Sequence, residues 1–294
     1  MQVHLVDGTY ELFRYFYAPG GGKHLNDVGE EVGAVRSVLR SVTALLEDGA
    51  THVGVATDHV IESFRNELYA GYKDGSGIDP VLFGQFPLLE AALEAAGFTV
   101  WAMVEFEADD ALGAAAAVAA ADPDVTRALI CTPDKDLAQC VVDPKVAQFD
   151  RRAGVIRDEA AVLEKFGVMP ASIPDWLGLV GDTADGFPGL AGWGAKSAAA
   201  VLRRYEHIEN IPLAPGQWDI TVRGSQKLCS VLAEHLDDAL LFRTIATIRL
   251  DVPVGTPAQW RWSGVGSGFD EMCDRLDAHD VHRRLTKLAG QRFG

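Results

Sequence analysis

Cysteine is scarce in this 294-residue chain, and Cys131, Cys140, Cys229 and Cys273 stand too far apart for the paired spacing of a zinc site or a redox motif. They read as reduced core thiols. Long apolar runs are missing too, and Met1 to Asp7 has no basic segment ahead of an apolar one. No signal peptide or membrane span is expected, and the chain reads as cytoplasmic. Low-complexity tracts are absent, and 48% hydrophobic with 23% charged residues is a globular composition. The length suits one substantial core, or one core plus a smaller helical domain. Basic residues are in deficit, 26 Lys and Arg against 42 Asp and Glu, for a net charge of -16. Such a deficit ordinarily argues against a nucleic-acid partner, because Lys and Arg drive phosphate binding. It does not if about ten carboxylates form a site for divalent ions, which leaves room for a local basic face.

What recurs is an apolar strand followed by carboxylates. The densest case is Glu107-Ala108-Asp109-Asp110, between the strand-like run Thr99 to Val104 and the alanine-rich run Ala111 to Ala121. Acids favour the first turn of a helix. Three within four residues repel by about 3 kcal/mol per pair at roughly 5 Å and an effective dielectric near 20, so a cation is expected beside them. Gln2 to Val6 reads as a buried strand with Asp7-Gly8 at its end, and His52 to Thr57 repeats the pattern with Asp58. An amphipathic helix joins them, with Val35, Val38, Leu39, Val42, Leu45 and Leu46 on one face. Two parallel strands so joined bring both aspartates to one sheet edge. Leu82 to Ala96 reads as a helix, and Phe98 to Val104 as the strand delivering the Glu107 group. Arg127 to Cys131 reads as a further strand, running into Thr132-Pro133-Asp134-Lys135-Asp136, and Val146 to Ile156 as a strand or hairpin turning at Asp150 to Gly154.

Three cations lie near these acids in sequence. Arg14 sits in the aromatic helix Tyr10 to Tyr17, which breaks at Pro19-Gly20-Gly21-Gly22. Arg65 and Lys73 precede a flexible break at Asp74-Gly75-Ser76-Gly77. Each is either a phosphate contact or an ordinary solvated charge. Beyond Ile156 the composition turns helical, over Ala160 to Phe166 and Ser172 to Leu179. Asp182 and Asp185, three apart, share one helical face or one loop edge and complete a second metal position. Gly189, Gly192 and Gly194 open a helix running to Tyr205, a turn that lets backbone N–H groups approach a phosphate. Arg223 to Leu250 reads as helical; Arg203, Arg204, Arg223 and Lys227 either line a duplex or are solvated. Trp260 and Trp262 pack against the body.

Together these residues resemble the 5′ nuclease family, the flap endonucleases and the 5′-to-3′ exonuclease domain that accompanies bacterial polymerase I. The resemblance runs from about Gln2 to Val252. Its motifs are Val6-Asp7-Gly8, Asp58 with Phe64-Arg65, Phe106 to Asp110, Thr132 to Asp136, Gly181 to Asp185, and the turn Gly189 to Lys196. It implies an α/β fold, a PIN-like mostly parallel sheet flanked by helices, with a helix-hairpin-helix region in the C-terminal half. The implied domains are a catalytic one over 1–165, a DNA-binding region over 166–255, and an extension over 256–294. By the family's pattern Asp7, Asp58, Glu107, Asp109 and Asp110 surround a first divalent cation, directly or through water, and Asp134, Asp136, Asp182 and Asp185 a second. Gly189, Gly192, Gly194, Lys196, Ser197 and Arg223 are expected to grip duplex phosphates, with a potassium ion at the turn. Lys73, Arg65 and Arg14 are expected at the scissile phosphate. Relatives have glycine where Pro133 stands and asparagine where Gly186 stands, and neither change removes a carboxylate. They also resemble Tyr-Lys-x-x-Arg where this chain has Tyr72-Lys73-Asp74-Gly75-Ser76-Gly77, so a gateway arginine is missing.

The implied activity is structure-specific hydrolysis of DNA in replication and repair, leaving a 5′ phosphate and a 3′ hydroxyl. Two Mg2+ or Mn2+ ions about 4 Å apart would activate water and stabilise the leaving oxygen. Carboxylates suit those hard cations, and the shortage of nearby His and Cys argues against zinc. The expected partners are DNA with 5′ ends or flaps and replication or repair proteins, with the chain a stand-alone, monomeric nuclease. Two alternatives remain: a non-catalytic DNA-structure-binding member of the family, and a ribonuclease of the related PIN class.

Overall fold

The computed structural model describes residues 1–19 and 23–294. The break read at Pro19-Gly20-Gly21-Gly22 lies, at its three glycines, outside the described residues. Two compact units emerge that do not follow chain order. One comprises Met1–Ile61, Gly75–Thr132 and Leu250–Gly294, the other Glu62–Asp74 and Pro133–Arg249.

The first unit opens with β1 (Gln2–Asp7), α1 (Gly8–Phe16), α2 (Gly33–Glu47) and β2 (His52–Asp58). After α3 (Phe64–Leu68) of the second unit, the chain returns to the first with α4 (Pro80–Phe83), α5 (Gln85–Ala95), β3 (Thr99–Met103), α6 (Ala108–Ala121) and β4 (Arg127–Cys131). The second unit resumes with β5 (Val146–Asp150), β6 (Val155–Arg157), α7 (Glu159–Phe166), α8 (Ile173–Val180), α9 (Ala195–Tyr205), α10 (Ser225–Glu234) and α11 (Leu236–Ala246). Finally α12 (Phe269–Arg275) and α13 (His279–Phe293) complete the first.

In the first unit β3, β2, β1 and β4 lie side by side in that order, all parallel. β1 and β2 are buried almost throughout, which explains why both read as continuous apolar runs: helices cover both faces of such a sheet. The buried alanines Ala111, Ala114, Ala115 and Ala119 let α6 lie close against the strands, and α2 packs on α1, α5 and α13. The second unit is mainly helical, with α8 packed on α9 and α11 around Trp176, Leu177, Phe187, Trp193, Val201 and Phe242. Its β5 and β6 pair antiparallel across the turn at Asp150 to Gly154.

Two elements differ from the sequence reading in their bounds. β3 stops at Met103, one residue short of Val104, so Glu107 lies beyond the strand and serves as N-cap of α6. The helix expected over Leu82 to Ala96 is divided at Gly84 between α4 and α5. The C-terminal stretch carries α12 and α13, and Trp260 and Trp262 are buried in the first unit. No described helix is long and apolar enough to cross a membrane.

Candidate active site

Acids of the first unit gather where β1 and β2 end. Asp7 passes directly into α1, and its Oδ1 accepts the Tyr10 N–H at 2.8 Å. Its Oδ2 accepts the Thr132 hydroxyl at 2.9 Å. Asp58 Oδ1 accepts the Ala108 N–H at 2.7 Å, while the Asp58 N–H donates to Thr9 Oγ1 at 2.9 Å. Glu107 and Asp110 form a reciprocal cap on α6, the Glu107 N–H donating to Asp110 Oδ2 at 3.0 Å. Asp7, Glu107 and Asp110 are buried; Asp58 and Asp109 are half-buried. Burying ionised carboxylates is costly unless donors or cations meet them, and backbone N–H groups with the positive end of α6 supply part of that here.

The second unit has its own acidic cluster. A short 3-10 helix (Asp136–Cys140) follows Asp134, whose Oδ1 accepts the Asp136 N–H at 2.9 Å. Asp182 and Asp185 lie on the loop after α8, settling the alternative between helical face and loop edge. Asp182 and Phe187 exchange backbone hydrogen bonds of 2.8 and 3.0 Å, and Asp182 Oδ1 accepts the Ala184 N–H at 3.0 Å. Asp136, Asp182 and Asp185 each offer a carboxylate oxygen, all within 4.8 Å of one another. The buried Asp136 Oδ1 has no hydrogen-bond partner. Burial, then the neighbouring Asp134, Asp185 and Asp182 carboxylates, push the Asp136 carboxyl well above the usual range, while Lys135 pulls it down. Two ammonium groups offset part of the cluster's negative charge: Lys135 meets Asp182, and Lys73 meets Asp185 at 2.9 Å. An all-oxygen set of converging, largely buried carboxylates with an orphaned acceptor fits a hard divalent cation.

Of the three expected phosphate contacts, only Lys73 joins this cluster. Arg65 has a different task from the one expected: it is 2% exposed, its Nε donates to the Ile245 carbonyl at 2.7 Å, and its Nη2 to that of Thr247 at 3.1 Å. Its guanidinium also lies 4.6 Å from the Phe64 ring centroid, so it braces the end of α11. Arg14 stays on α1 of the first unit, paired with Glu11 at 2.5 Å and lying over Tyr15. Sequence reasoning assigned no role to Thr132 or Lys135. Their position, flanking or between site acids in Thr132-Pro133-Asp134-Lys135-Asp136, was the available signal.

The glycine turn lies between α8 and α9. Gly189 has φ +65°, and a Cβ there would sit 2.4 Å from the Gly181 nitrogen, so only glycine fits. Gly192 has φ +83°. Gly194 caps α9: its N–H donates to Ser197 Oγ at 3.0 Å, and that hydroxyl donates back to the Gly194 carbonyl at 3.0 Å. Lys196 is exposed in the first turn of α9, and Arg223 is exposed ahead of α10. A helix N-terminus with an exposed lysine suits an anion.

The family profile described as 5′-3′ exonuclease, N-terminal resolvase-like domain, matches residues 2–167, and that described as 5′-3′ exonuclease, C-terminal SAM fold, matches residues 168–265. The 5′-3′ exonuclease of Bacillus subtilis (strain 168) is 32% identical over 298 residues, covering 97% of this chain and 96% of that protein. DNA polymerase I of Bacillus caldotenax is 34% identical over 256 residues, 85% of this chain, but this chain spans only 28% of that polymerase. Among solved structures, the bacteriophage T5 D15 protein co-crystallised with metal ions has a TM-score of 0.67 at 18% identity, covering 98% of this chain and 100% of that one. Flap endonuclease-1 from Methanococcus jannaschii has a TM-score of 0.61 at 15% identity, covering 98% and 91%. At such identities these two likenesses concern the fold.

Proposed function

The chain belongs to the 5′-3′ exonuclease family, and from that premise we propose that it hydrolyses DNA phosphodiesters at 5′ ends or flaps with the aid of divalent cations. The observation that carries this reading is the convergence of Asp136, Asp182 and Asp185 around a buried carboxylate oxygen that lacks a partner. These three, with Asp134 beside them, would hold one ion of the Mg2+ or Mn2+ type. Asp7, Asp58, Glu107, Asp109 and Asp110 would hold another. When bound, such ions supply Lewis acidity toward water and toward the phosphate oxygens.

The chain's own groups do the remaining work in this reading. Lys73 and Lys135, already directed at site carboxylates, present positive charge for the phosphate as negative charge builds on it. Backbone N–H groups of the turn at Gly189, Gly192 and Gly194, with Lys196, Ser197 and Arg223, take duplex phosphates. The proposal includes a potassium ion at that turn and a cytoplasmic place of action. Arg65 supports the protein rather than the substrate.

A duplex with a labelled 5′ flap, incubated with Mg2+, Mn2+ or EDTA, tests the reading beside Asp134→Asn and Asp182→Asn. The expected result is metal-dependent cutting near the junction, reduced about 100-fold or more in either variant with DNA affinity largely kept. Unchanged turnover in both variants overturns the metal assignment. Binding by the unaltered chain without any cutting would instead mark a non-catalytic DNA-binding protein, and preferential cutting of RNA a ribonuclease.

A further inference from the structure

The second unit contains a cavity of about 680 Å3 whose lining includes none of the proposed metal ligands. Lys165 and Phe166 at the end of α7, Ala200 and Arg203 on α9, and Ile220 and Val222 before α10 line it, with Lys196. Its cations Lys165, Lys196 and Arg203 are exposed. Acids outnumber bases by 42 to 26, and several cations of the unit are paired, as in Arg157 with Asp150, Arg204 with Asp219 and Arg243 with Glu209. Lys165, Lys196 and Arg203 make no ion pair among the described residues, and no carboxylate lines the cavity. Burial, then the neighbouring Arg157, hold the Lys165 ammonium below its usual range, against the opposing pull of the Asp150 and Asp134 carboxylates.

The remaining wall is apolar. Phe166 packs edge-on against Trp176 at 5.6 Å between ring centroids and lies 4.7 Å from Lys165 Nζ. Ala199, Ala200, Ile220 and Val222 add small and branched aliphatic surface. A cavity of this size falls within the roughly 300–1,000 Å3 typical of small-molecule sites. Cations without counter-ions beside an aromatic and aliphatic wall ask for a ligand with a compact anion at one end and a flat apolar body at the other.

We propose that this cavity binds a nucleoside monophosphate unit, its phosphate taken by Lys165 and Arg203 and its base lying against the wall that includes Phe166. The unit is either a free nucleotide or the 5′-terminal nucleotide of a single strand, which share this chemistry. Binding there needs neither divalent metal nor the acidic clusters, so it stands apart from the cleavage reading. Lys196 lines the cavity and also belongs to the proposed duplex contact, so an occupied cavity would weaken duplex binding.

The test is calorimetric titration of the full chain in EDTA with deoxyadenosine 5′-monophosphate, inorganic phosphate, deoxyadenosine and a 5′-phosphorylated single strand. Two variants accompany it: Lys165→Ala with Arg203→Ala removes charge, and Ala200→Trp fills the cavity while leaving every charge in place. Saturable binding of the mononucleotide is expected, weaker by at least about tenfold in both variants, with phosphate or nucleoside alone at least about tenfold weaker. If Ala200→Trp also weakens the single strand, the strand end is a source; if it weakens the mononucleotide alone, the source is the free nucleotide. No saturable mononucleotide binding below about 10 mM, equal binding by Ala200→Trp, or phosphate binding as well as the mononucleotide would each overturn the proposal. Because EDTA suppresses cleavage, these outcomes are distinct from failure of the nuclease reading.

Discussion

Buried beside Asp134, Asp182 and Asp185, the Asp136 carboxylate is poorly accommodated without a cation, since its Oδ1 has no donor and three like charges surround it. Removing that charge should relieve repulsion. Asp136→Asn is therefore expected to raise the unfolding midpoint in EDTA by about 2–4 °C, corresponding to about 1 kcal/mol. The unaltered chain should gain about 2.7 kcal/mol with Mg2+ at 100 times its dissociation constant, and the variant little or nothing. Thermal unfolding with and without Mg2+ checks both, and a variant less stable in EDTA would show that Asp136 supplies structural hydrogen bonds instead. Asp134 and Asp136 were legible because an acid after an apolar strand is a local pattern, whereas Asp182 and Asp185 follow a helix and were read from their spacing. Arg65 was not: local sequence shows a cation, but not that the Ile245 carbonyl, 180 residues along the chain, lies within its reach.

Helix α13 is latched to α2 and the residues just after it by paired polar contacts. Arg40 meets Asp280 at 2.9 and 2.7 Å, Arg284 meets Glu47 at 2.9 and 2.6 Å, and Arg292 donates to the Ala50 and Leu46 carbonyls. The hydrogen bond from Arg40 holds the Asp280 carboxyl below its ordinary range, and that from Arg284 does the same for Glu47. A carboxyl whose folded pKa is depressed stabilises the fold fully above its unfolded value, near 3.8 for Asp280 and 4.5 for Glu47. That stabilisation is lost as pH falls through those values toward the folded ones. Both pairs are more than a third exposed on at least one side, so solvent screening keeps the effect small. Asp280→Asn with Glu47→Gln should cost less than about 1 kcal/mol at neutral pH and flatten the fall of the unfolding midpoint between about pH 5 and 3. An unaltered pH profile in the double variant would show that the pairs do not latch the helix.

At the scale of the whole molecule, the C-terminal stretch is core of the first unit. The Trp262 N–H donates to the Thr51 carbonyl at 2.9 Å and its Nε1 to that of Ala96 at 2.8 Å. The indoles of Trp101 and Trp260 both donate to the Val254 carbonyl, their ring centroids 5.4 Å apart. Trp262→Ala should cost about 3–5 kcal/mol, and cutting the chain before Trp260 should leave the first unit unable to fold cooperatively. Calorimetry decides between this and a loosely appended tail, for which the unfolding midpoint would not move.

The sequence by itself determined the layout of the parallel sheet and the edge at which Asp7 and Asp58 would meet. Apolar runs and amphipathic helices in alternation leave few topologies once crossovers must be right-handed, and parallel strands then end on one side. It also determined the glycine turn, because a positive φ beside close backbone leaves a local mark. Only the tertiary structure decided which ammonium meets which carboxylate, that Arg65 braces α11, that Glu62–Asp74 belongs with Pro133–Arg249, and that α13 returns to α2. Those outcomes depend on contacts between residues far apart in the chain, and a periodicity of two or of 3.6 residues carries no record of the distant partner.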